Sequence, residues 1–404
     1  MTGPLDGYVV VDLSHHLAGP YASQRLGDLG AKVIKVEPVG YGEWTRVRPI
    51  GNHWIGSVNT SVIAVNRNKE SLSVNLKSPE GMEILHKLVE RADVFLLNFR
   101  PVVAERLGVD YEAVRKIKDD IVYCSVTGFG EDGPYENRPG QDLLIQGFSG
   151  VAWNAGRRDD PPIPLGTFVA DVTAGMNAAT GILAALLHRE RTGEGQKVAV
   201  NLLHSLIDVQ LQEFAAFINS GQLYERGEEL HAHPFINSPY GIHETKDGYI
   251  ALSMAPYEKL AGALDCPELL AYTRWEDGQT HRDEIFRHTA NALKKRTTRE
   301  WIGHLDSLDV WCAPINGYAE VVNDPQVCHN KIFRAVEHPE LGEMKIVSAP
   351  IGMSKTPPTY RTAPQNLGES NTAVLQSLGY TAADIDGLDQ RKVIQNNPPK
   401  SFKI

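Results

Sequence analysis

The chain opens with Tyr8-Val-Val-Val-Asp-Leu13, a run of mostly β-branched residues, which is followed by a turn and by a helical stretch through Leu29. A second run of the same kind, Val33-Ile-Lys-Val-Glu37, begins four residues after Leu29. Strand, helix and strand in this order predict a β-α-β unit with parallel strands. The N-terminus of the chain therefore favours an α/β fold.

The same alternation continues through the first third of the chain. Ser78-Pro79-Glu80 combines a capping residue, a proline and an acid, which together are typical of a helix start. This helix leads into the strand Asp93-Val-Phe-Leu-Leu-Asn98, and Ile121-Val-Tyr-Cys-Ser-Val126 is a further strand. Repeated alternation predicts a parallel, doubly wound sheet in a Rossmann-like large domain.

A chain of 404 residues is long for a single domain. Residues 225–239 are polar and rich in histidine, and Asp247-Gly248 marks the turn of a hairpin. We therefore predict a large nucleotide-binding domain at 1–220 that is completed by 345–404. A smaller α+β domain is predicted at 226–330, with 331–344 as a linker.

The composition limits the classes of partner. Hydrophobic residues make up 42% of the chain and charged residues 22%, which is ordinary for a soluble globular protein. The net charge of −10 argues against nucleic acid and anionic membranes as partners. The N-terminus lacks the features of a secretory signal, and the four cysteines lie far apart without a C-x-x-C pair. We expect no metal site, no disulfides and a cytoplasmic location.

One carboxylate occupies an unusual position. Asp171 is the only formally charged residue between Asp160 and Arg189, in a run of small and apolar residues that predicts a closely packed helix. Burying an ionised carboxylate without partners costs several kcal/mol, so the position favours a specific use. Asp171 could cap the helix, or it could act as a nucleophile on an activated carbonyl, and the two roles are compatible.

A parallel sheet with an N-terminal β-α-β unit raises the possibility of a dinucleotide site. The turn after the first strand is Ser14-His-His-Leu-Ala-Gly-Pro20, which lacks the G-x-G-x-x-G pattern. Glu37 lies where a ribose-binding acid would be expected, but without the glycines a nicotinamide oxidoreductase is disfavoured. The carboxyl edge of the sheet remains the expected place for a ligand.

Positive charge is concentrated in one segment. Residues 35–106 carry ten Lys and Arg against eight Asp and Glu, a net charge of +2 within an acidic chain. A local excess of positive charge suits a ligand that bears phosphate groups. Arg46, Arg48 and Arg67 lie in predicted loops beside glycine and tryptophan, where a binding role is expected.

A series of different short motifs follows in order along most of the chain. They are Val11-Asp-Leu-Ser-His-His-Leu-Ala-Gly-Pro20, Leu29-Gly-Ala-Lys-Val-Ile-Lys-Val-Glu-Pro38, Asn68-Lys-Glu-Ser-Leu-Ser-Val-Asn-Leu-Lys77, Asn98-Phe-Arg-Pro101, Arg106-Leu-Gly108, Gly128-Phe-Gly-Glu-Asp-Gly-Pro134, the Asp171 helix, Arg191-Thr-Gly-Glu-Gly-Gln196 and Val336-Glu-His-Pro-Glu-Leu-Gly342. No single motif is decisive, but the ordered set is specific. It resembles the family III CoA-transferases, the formyl-CoA and crotonobetainyl-CoA:carnitine CoA-transferase type.

The resemblance implies a transferase that moves CoA from an acyl-CoA donor to a small carboxylic acid. By resemblance Asp171 is the catalytic nucleophile and forms a covalent aspartyl-CoA thioester, with oxyanion stabilisation from backbone N–H groups near glycines. CoA and acyl-CoA are then substrates, and no permanently bound cofactor is expected. The family's protomers interlock as homodimers, so a homodimer is expected.

Further site residues are implied by their match to the family motifs. Those that match CoA contacts are Leu17, Ala18, Val74, Asn75, Leu76, Lys77, Asn98, Phe99, Arg100 and Arg106. Gln141 and Asp142 match a stretch beside the reacting centre, and His16 is a further neighbour. We interpret His15 and His16 as structural or binding residues rather than general bases.

Two departures from the family leave alternatives open. The fold also resembles that of α-methylacyl-CoA racemases, which carry a histidine where this chain has Gln141. Because an amide cannot shuttle a proton from a carbon acid, a racemase is the second hypothesis. The formyl-CoA type has a glycine-rich loop where this chain has His231-Ala-His-Pro-Phe-Ile-Asn-Ser-Pro239, so the acceptor acid is not identified. Pro38 also replaces an arginine that some members use for adenosine. A catalytically dead CoA-binding protein would not need Asp171.

Overall fold

The computed structural model of the chain describes residues 3–396, which form two compact units. Within the described residues, the sheet unit comprises 3–145, 168–206 and 325–396. The second unit comprises Gln146–Thr167 and Ile207–Asp324. Residues 146–167 and 207–220, which the sequence prediction places in the large domain, thus belong to the second unit.

The secondary-structure elements are as follows. The strands are β1 (Val9–Asp12), β2 (Lys32–Glu37), β3 (Trp54–Ile55), β4 (Val58–Asn59), β5 (Lys69–Ser73), β6 (Val94–Leu97), β7 (Val122–Thr127), β8 (Lys197–Asn201), β9 (Gly241–Glu244), β10 (Tyr249–Leu252), β11 (Cys312–Pro314), β12 (Phe333–His338) and β13 (Gly342–Val347). The helices are α1 (Ala18–Asp28), α2 (Thr60–Val65), α3 (Pro79–Arg91), α4 (Pro101–Leu107), α5 (Tyr111–Arg115), α6 (Asp142–Ser149), α7 (Val169–Thr192), α8 (Leu202–Asp208), α9 (Leu211–Ser220), α10 (Tyr257–Leu264), α11 (Asp277–Thr280), α12 (Arg282–Leu293), α13 (Thr298–Ser307), α14 (Tyr318–Val321), α15 (Pro325–His329), α16 (Asn371–Ser377) and α17 (Ala382–Gln390).

The sheet unit is built on a six-stranded sheet with the strand order β5-β2-β1-β6-β7-β8, in which all neighbouring strands are parallel. Its central strands are apolar and buried, as expected for a sheet whose two faces are covered. The chain adds strands on one side of β1 and then changes side at β6, so the loops after these two strands leave a crevice at the carboxyl edge. The predicted α/β fold with a large parallel sheet is confirmed.

Helix α7 packs against α1 through small residues. A Cβ atom at Gly175 would lie 2.6 Å from the carbonyl oxygen of Ala18 and 2.9 Å from Cδ1 of Tyr21. Among the described residues, α7 is the one helix whose length and apolar composition would suffice to cross a membrane. Its residues Ala174, Ala178, Ile182 and Ala185 are buried in the sheet unit, which is the packing of a core helix.

The C-terminal part of the sheet unit covers two regions of it. Helices α16 and α17 bring Val374, Leu375, Ile385 and Leu388 into the apolar core beside the sheet. Strands β12 and β13 form an antiparallel hairpin that covers most of the predicted linker 331–344. The sequence prediction does not anticipate this hairpin, whose alternate buried residues Val336, Met344 and Ile346 share a hydrophobic cluster with α2.

The second unit has its own core. A three-stranded antiparallel sheet with the order β11-β10-β9 packs with α10, α12 and α13 around the fully buried side chain of Trp301. The predicted hairpin with Asp247-Gly248 at its turn joins β9 to β10, so this prediction is confirmed.

The close approach of α7 to α1 predicts that alanine substitution has different effects on stability at two helical glycines. Gly175→Ala should lower the free energy of unfolding by about 1–3 kcal/mol, because the new methyl group meets the Ala18 carbonyl. Gly303→Ala is the matched control: Gly303 lies in α13 with open space around it, so alanine should be neutral or stabilise by about 0.5–1 kcal/mol. Urea unfolding measures both. Equal midpoints for the two variants would contradict the tight α1–α7 contact.

Candidate active site

A cavity of about 560 Å³ opens at the carboxyl edge of the six-stranded sheet, and all of its lining residues belong to the sheet unit. The loops after β1, β6 and β7 contribute to its wall, together with α2 and the first turns of α6 and α7. Many of the predicted site residues meet here: His16, Leu17, Ala18, Asn98, Phe99, Arg100, Gln141, Asp142 and Asp171. The sequence motifs that carry these residues therefore converge on one cavity.

Asp171 lies in the first turn of α7 and lines this cavity. The residue at the N-cap position is Phe168, whose apolar side chain makes no capping hydrogen bond. Oδ2 of Asp142 instead accepts hydrogen bonds from the backbone N–H groups of Ala170, at 2.8 Å, and of Asp171, at 3.1 Å. The hypothesis that Asp171 caps its own helix is therefore wrong.

The environment of Asp171 disfavours its charge. Burial raises the pKa of its carboxyl group, and the nearby negative charge of Asp142 raises it further, to about 7. No hydrogen bond or ion pair joins the Asp171 side chain to another side chain in the described range 3–396. The cavity thus presents an unpaired carboxyl group that ionises near neutral pH.

The loop after β1 is held against the loop after β6. The Asn98 amide accepts a hydrogen bond from the backbone N–H of His15 and donates one to the His15 carbonyl, both at 2.8 Å. The His15 ring meets Phe99 edge to face, and His16 has a left-handed backbone with φ 67°. Burial lowers the pKa of both histidines, which keeps them neutral at pH 7. These contacts favour the structural or binding role that we predict for them.

Buried charges lie beneath this loop. Asp12 accepts hydrogen bonds from the backbone N–H of Ser14 at 2.8 Å and from Nζ of Lys69 at 3.2 Å. Nζ of Lys35 donates to the Ser14 carbonyl at 2.7 Å. Burial alone would raise the pKa of Asp12, but Lys35 and Lys69 lower it well below its usual range. The charges of the strands therefore hold the backbone of the loop that follows β1.

A bidentate ion pair extends this group of charges. Nε and Nη2 of Arg46 donate to the two carboxylate oxygens of Glu37 at 2.6 and 2.7 Å. Although burial opposes ionisation, Arg46 lowers the pKa of Glu37 to about 2. Oε2 of Glu43 accepts a hydrogen bond from the His16 N–H at 2.9 Å. We call the six charged residues the buried charge network: Asp12, Lys35, Glu37, Glu43, Arg46 and Lys69.

The network corrects one prediction from the sequence. Arg46 is paired with Glu37, and Arg67 is paired with Asp28 through bonds of 2.8 and 2.6 Å, so both guanidinium groups are buried and occupied. Neither residue lines the cavity, and the ligand-binding role that we predict for them is wrong. Arg48 does line it, with its guanidinium group 4.3 Å from the centre of the Trp44 ring.

Five predicted CoA contacts lie outside the cavity. Val74 is buried in the core and pairs with Ile394, whereas Lys77 and Arg106 are exposed on the surface. The remaining two, Asn75 and Leu76, are half-buried just beyond the carboxyl end of β5. Their roles stay predictions.

Sequence reasoning also missed several residues of the cavity wall: Thr45, Ser61, Glu136, Arg138, Gly140 and Phe168. Gly140 packs against a second glycine, since a Cβ atom at Gly128 would lie 2.5 Å from the Gly140 Cα. The glycine motif at 128–134 was the one signal in the sequence that could have pointed to this part of the wall.

Comparison with known proteins agrees with this geometry. The model for CoA-transferase family III matches residues 5–371. The chain belongs to CoA-transferase family III. This family III CoA-transferase is 34% identical over 381 residues to the succinyl-CoA:glutarate CoA-transferase of Homo sapiens, with 93% of this chain and 86% of the relative covered. The family resemblance seen in the sequence is confirmed, and so is the assignment to the transferases.

Two further similarities extend over nearly the whole family III CoA-transferase chain. It is 30% identical to the formyl-CoA:oxalate CoA-transferase of Escherichia coli O81 (strain ED1a), covering 98% of this chain and 100% of that one. The crystal structure of a CAIB/BAIF family protein from Brucella suis superposes with a TM-score of 0.83 at 30% identity, covering 94% of this chain and 100% of that one. These similarities favour a transferase over the racemase hypothesis.

The raised pKa of Asp171 predicts a pH-dependent stability cost. Between about pH 4 and 7 the folded state holds a proton on Asp171 that the unfolded state releases, so stability falls as the pH rises through this range. Asp171→Asn does not ionise. Its gain in unfolding free energy over the wild type should grow from pH 4 to 7 and then level off at about 4 kcal/mol, because the pKa of Asp171 rises from 3.8 to about 7 and each pKa unit is worth ~1.4 kcal/mol. Urea unfolding at pH 5 and pH 8 tests this; a difference that does not change with pH would contradict the buried, unpaired carboxyl group.

Proposed function

We propose that this family III CoA-transferase moves CoA between two carboxylic acids through a covalent aspartyl-CoA thioester on Asp171. The observation that supports the proposal is the state of the Asp171 carboxyl group. It faces the cavity, it is partly withdrawn from water, and no cation in the described range neutralises it. A carboxylate with a raised pKa is more basic, and therefore more nucleophilic once ionised, than an ordinary exposed one.

The first half of the reaction releases the donor acid. The ionised Asp171 carboxylate attacks the thioester carbonyl of the acyl-CoA, and the C–S bond breaks to give a mixed anhydride and CoA thiolate. The thiolate then attacks the aspartyl carbonyl of the anhydride. The C–O bond between the aspartyl carbonyl and the donor carboxylate breaks, which leaves the aspartyl-CoA thioester and the free donor carboxylate. No proton is consumed, and no redox change occurs.

The second half reverses these steps with the acceptor. The acceptor carboxylate attacks the aspartyl thioester and expels CoA thiolate, which forms a second mixed anhydride. The thiolate attacks the acyl carbonyl of the acceptor, and the Asp171 carboxylate leaves. The product is a new acyl-CoA and the free enzyme. The scheme needs no permanently bound cofactor, because CoA enters and leaves as part of the substrates.

We propose a small dicarboxylic acid as the acceptor class. The relatives' names specify glutarate and oxalate, and both acids are dicarboxylates. Cationic side chains line the cavity at Arg48, Arg100 and Arg138, and guanidinium groups bind carboxylates and phosphates well. These arginines could receive the second carboxylate of the acceptor or the phosphates of CoA. A screen of succinyl-CoA against a panel of dicarboxylic acids, with monocarboxylic acids of equal length as the control, tests the class.

The racemase hypothesis requires a base that removes the α-proton of the acyl group. Gln141 lies in the cavity wall where that base would be needed, and an amide cannot serve as one. Deuterium uptake at the α-carbon of a 2-methylacyl-CoA in heavy water would restore this alternative.

We also propose that the protein is a cytoplasmic homodimer. Apolar side chains on α7 and α9 are 43–71% exposed in the single chain: Met176, Leu187, Leu211, Phe217 and Ile218. Exposed apolar side chains within one unit, such as those of α7, favour an interface between protein chains. The free cysteines in the described part of the chain fit a reducing compartment. The molar mass in solution, measured by light scattering, tests the homodimer.

The covalent scheme predicts the result of trapping. Wild-type enzyme incubated with acyl-CoA and then with hydroxylamine should carry a hydroxamate on Asp171, which peptide mass spectrometry locates. Asp171→Asn and Asp171→Ala should carry none, and both should transfer CoA more than about 10³-fold more slowly, because the nucleophile is gone. CoA binding by both variants serves as the folding control. A variant that folds and still transfers CoA at near wild-type rate would refute the covalent role of Asp171.

The cavity wall predicts a local electrostatic contribution to CoA binding. Arg100→Ala should raise the Kd for CoA by about 5- to 30-fold, equivalent to ~1–2 kcal/mol, and the effect should shrink at high salt. Arg115→Ala is the control, because Arg115 stacks on Tyr111 and lies outside the cavity wall. Calorimetric titration at two salt concentrations measures both. An unchanged Kd in Arg100→Ala would remove this arginine from the site, and Arg106→Ala in the same titration tests one of the predicted contacts that lie outside the cavity.

A further inference from the structure

The start of α7 receives its cap from a distant part of the chain. The first N–H groups of any helix have no partner within the helix and need an acceptor elsewhere. For α7 that acceptor is the carboxylate of Asp142, which lies 28 residues before Ala170 and 29 before Asp171. A single oxygen, Oδ2, accepts both hydrogen bonds. Asp142 is only 3% exposed.

Asp142 is at the same time the first residue of α6. The backbone of the preceding residue begins that helix, because the Gln141 carbonyl accepts a hydrogen bond from the Ile145 N–H at 3.0 Å. The carboxylate of Asp142 therefore lies at the N-terminal ends of two helices, where the positive ends of both helix dipoles favour a negative charge. This arrangement joins the turn that carries Asp171 to the turn that carries Gln141 and Asp142.

We propose that Asp142 is a positioning residue for the transfer reaction: its carboxylate fixes the first turn of α7 and so holds the Asp171 carboxyl group against the cavity. The proposal rests on the proposed function of Asp171 as the nucleophile. Asp142 itself does not form the covalent bond; it acts through the backbone N–H groups of Ala170 and Asp171. Displacing a reacting group by about 1 Å can cost 10²-fold in rate, so a fixed turn matters for attack on a thioester.

The same carboxylate also influences the charge of the nucleophile. Its negative charge is the one electrostatic contribution, beside burial, that raises the pKa of Asp171. The other ionisable side chains in the cavity wall are His16, Arg48, Arg100, Glu136 and Arg138, and none of them accounts for the shift. Position and charge can therefore be separated by substitution, because an amide oxygen still accepts hydrogen bonds but carries no charge.

Two variants of Asp142 make this separation. In Asp142→Ala both N–H groups lose their acceptor, and kcat should fall by about 10- to 100-fold. In Asp142→Asn the cap can persist, so kcat at high pH should stay within about threefold of the wild type. The acid limb of its pH–rate profile should move to lower pH, because Asp171 then ionises without an adjacent negative charge.

Asp110→Asn is the matched control. The Asp110 carboxylate caps α5 by accepting a hydrogen bond from the Ala113 N–H at 3.1 Å, and it lies outside the cavity wall. This variant should leave both kcat and the pH–rate profile unchanged. Circular dichroism and CoA titration confirm that each variant folds.

The outcomes separate this proposal from the proposed function. If the wild type transfers no CoA, or if Asp171→Asn is as active as the wild type, the proposed function fails. If the wild type is active through Asp171 but folded Asp142→Ala retains its kcat, only the positioning role is refuted. The same holds if Asp142→Asn loses as much activity as Asp142→Ala and its acid limb does not move. Rescue by asparagine together with the shifted acid limb supports the positioning role.

Discussion

The close contact between α1 and α7 is the constraint on which the site depends. Gly175 of α7 lies directly over the backbone carbonyl of Ala18, with no room for even a methyl group. Since α1 begins at the carboxyl end of β1, this contact sets the distance between the N-terminal turns of the two helices. Asp171, four residues before Gly175, is thereby placed over the same edge of the sheet as Leu17 and Ala18. The geometry of the site therefore requires small residues at the interface between α1 and α7.

The site combines two opposite uses of buried charge. Beneath the β1 loop, each buried acid has a cationic or N–H partner, and the charges of Asp12 and Glu37 are strongly stabilised. In the cavity wall, Asp171 has no such partner among residues 3–396, and its charge is disfavoured. The free energy lost at one carboxyl group can be tolerated because the unfolding free energy of a folded domain, about 5–15 kcal/mol, exceeds it. The difference in partners, not in residue type, separates a structural carboxylate from a reactive one.

Local patterns in the sequence predict part of this structure, and long-range partners account for the rest. The alternation of strands and helices predicts the parallel sheet, and Ser78 caps α3 as expected. The isolation of Asp171 among small residues marks it correctly as unusual. Spacing does not reveal that Asp142 caps a helix that begins 27 residues later. Strand β5 was missed because its buried residues include Lys69 and Ser71, which are polar and have their partners elsewhere in the chain.

The buried charge network also restricts how this protein can change over evolution. It contains three acidic and three basic side chains, so the charges within it balance. Replacing one member by a neutral residue leaves an uncompensated charge in a place that water does not reach, which costs about 3–5 kcal/mol. Exchanging both members of a pair, such as Glu37 and Arg46, avoids that loss. Divergent sequences should therefore reach new residues at these positions through coupled double replacements, whereas exposed arginines outside the cavity, such as Arg115, can vary one at a time.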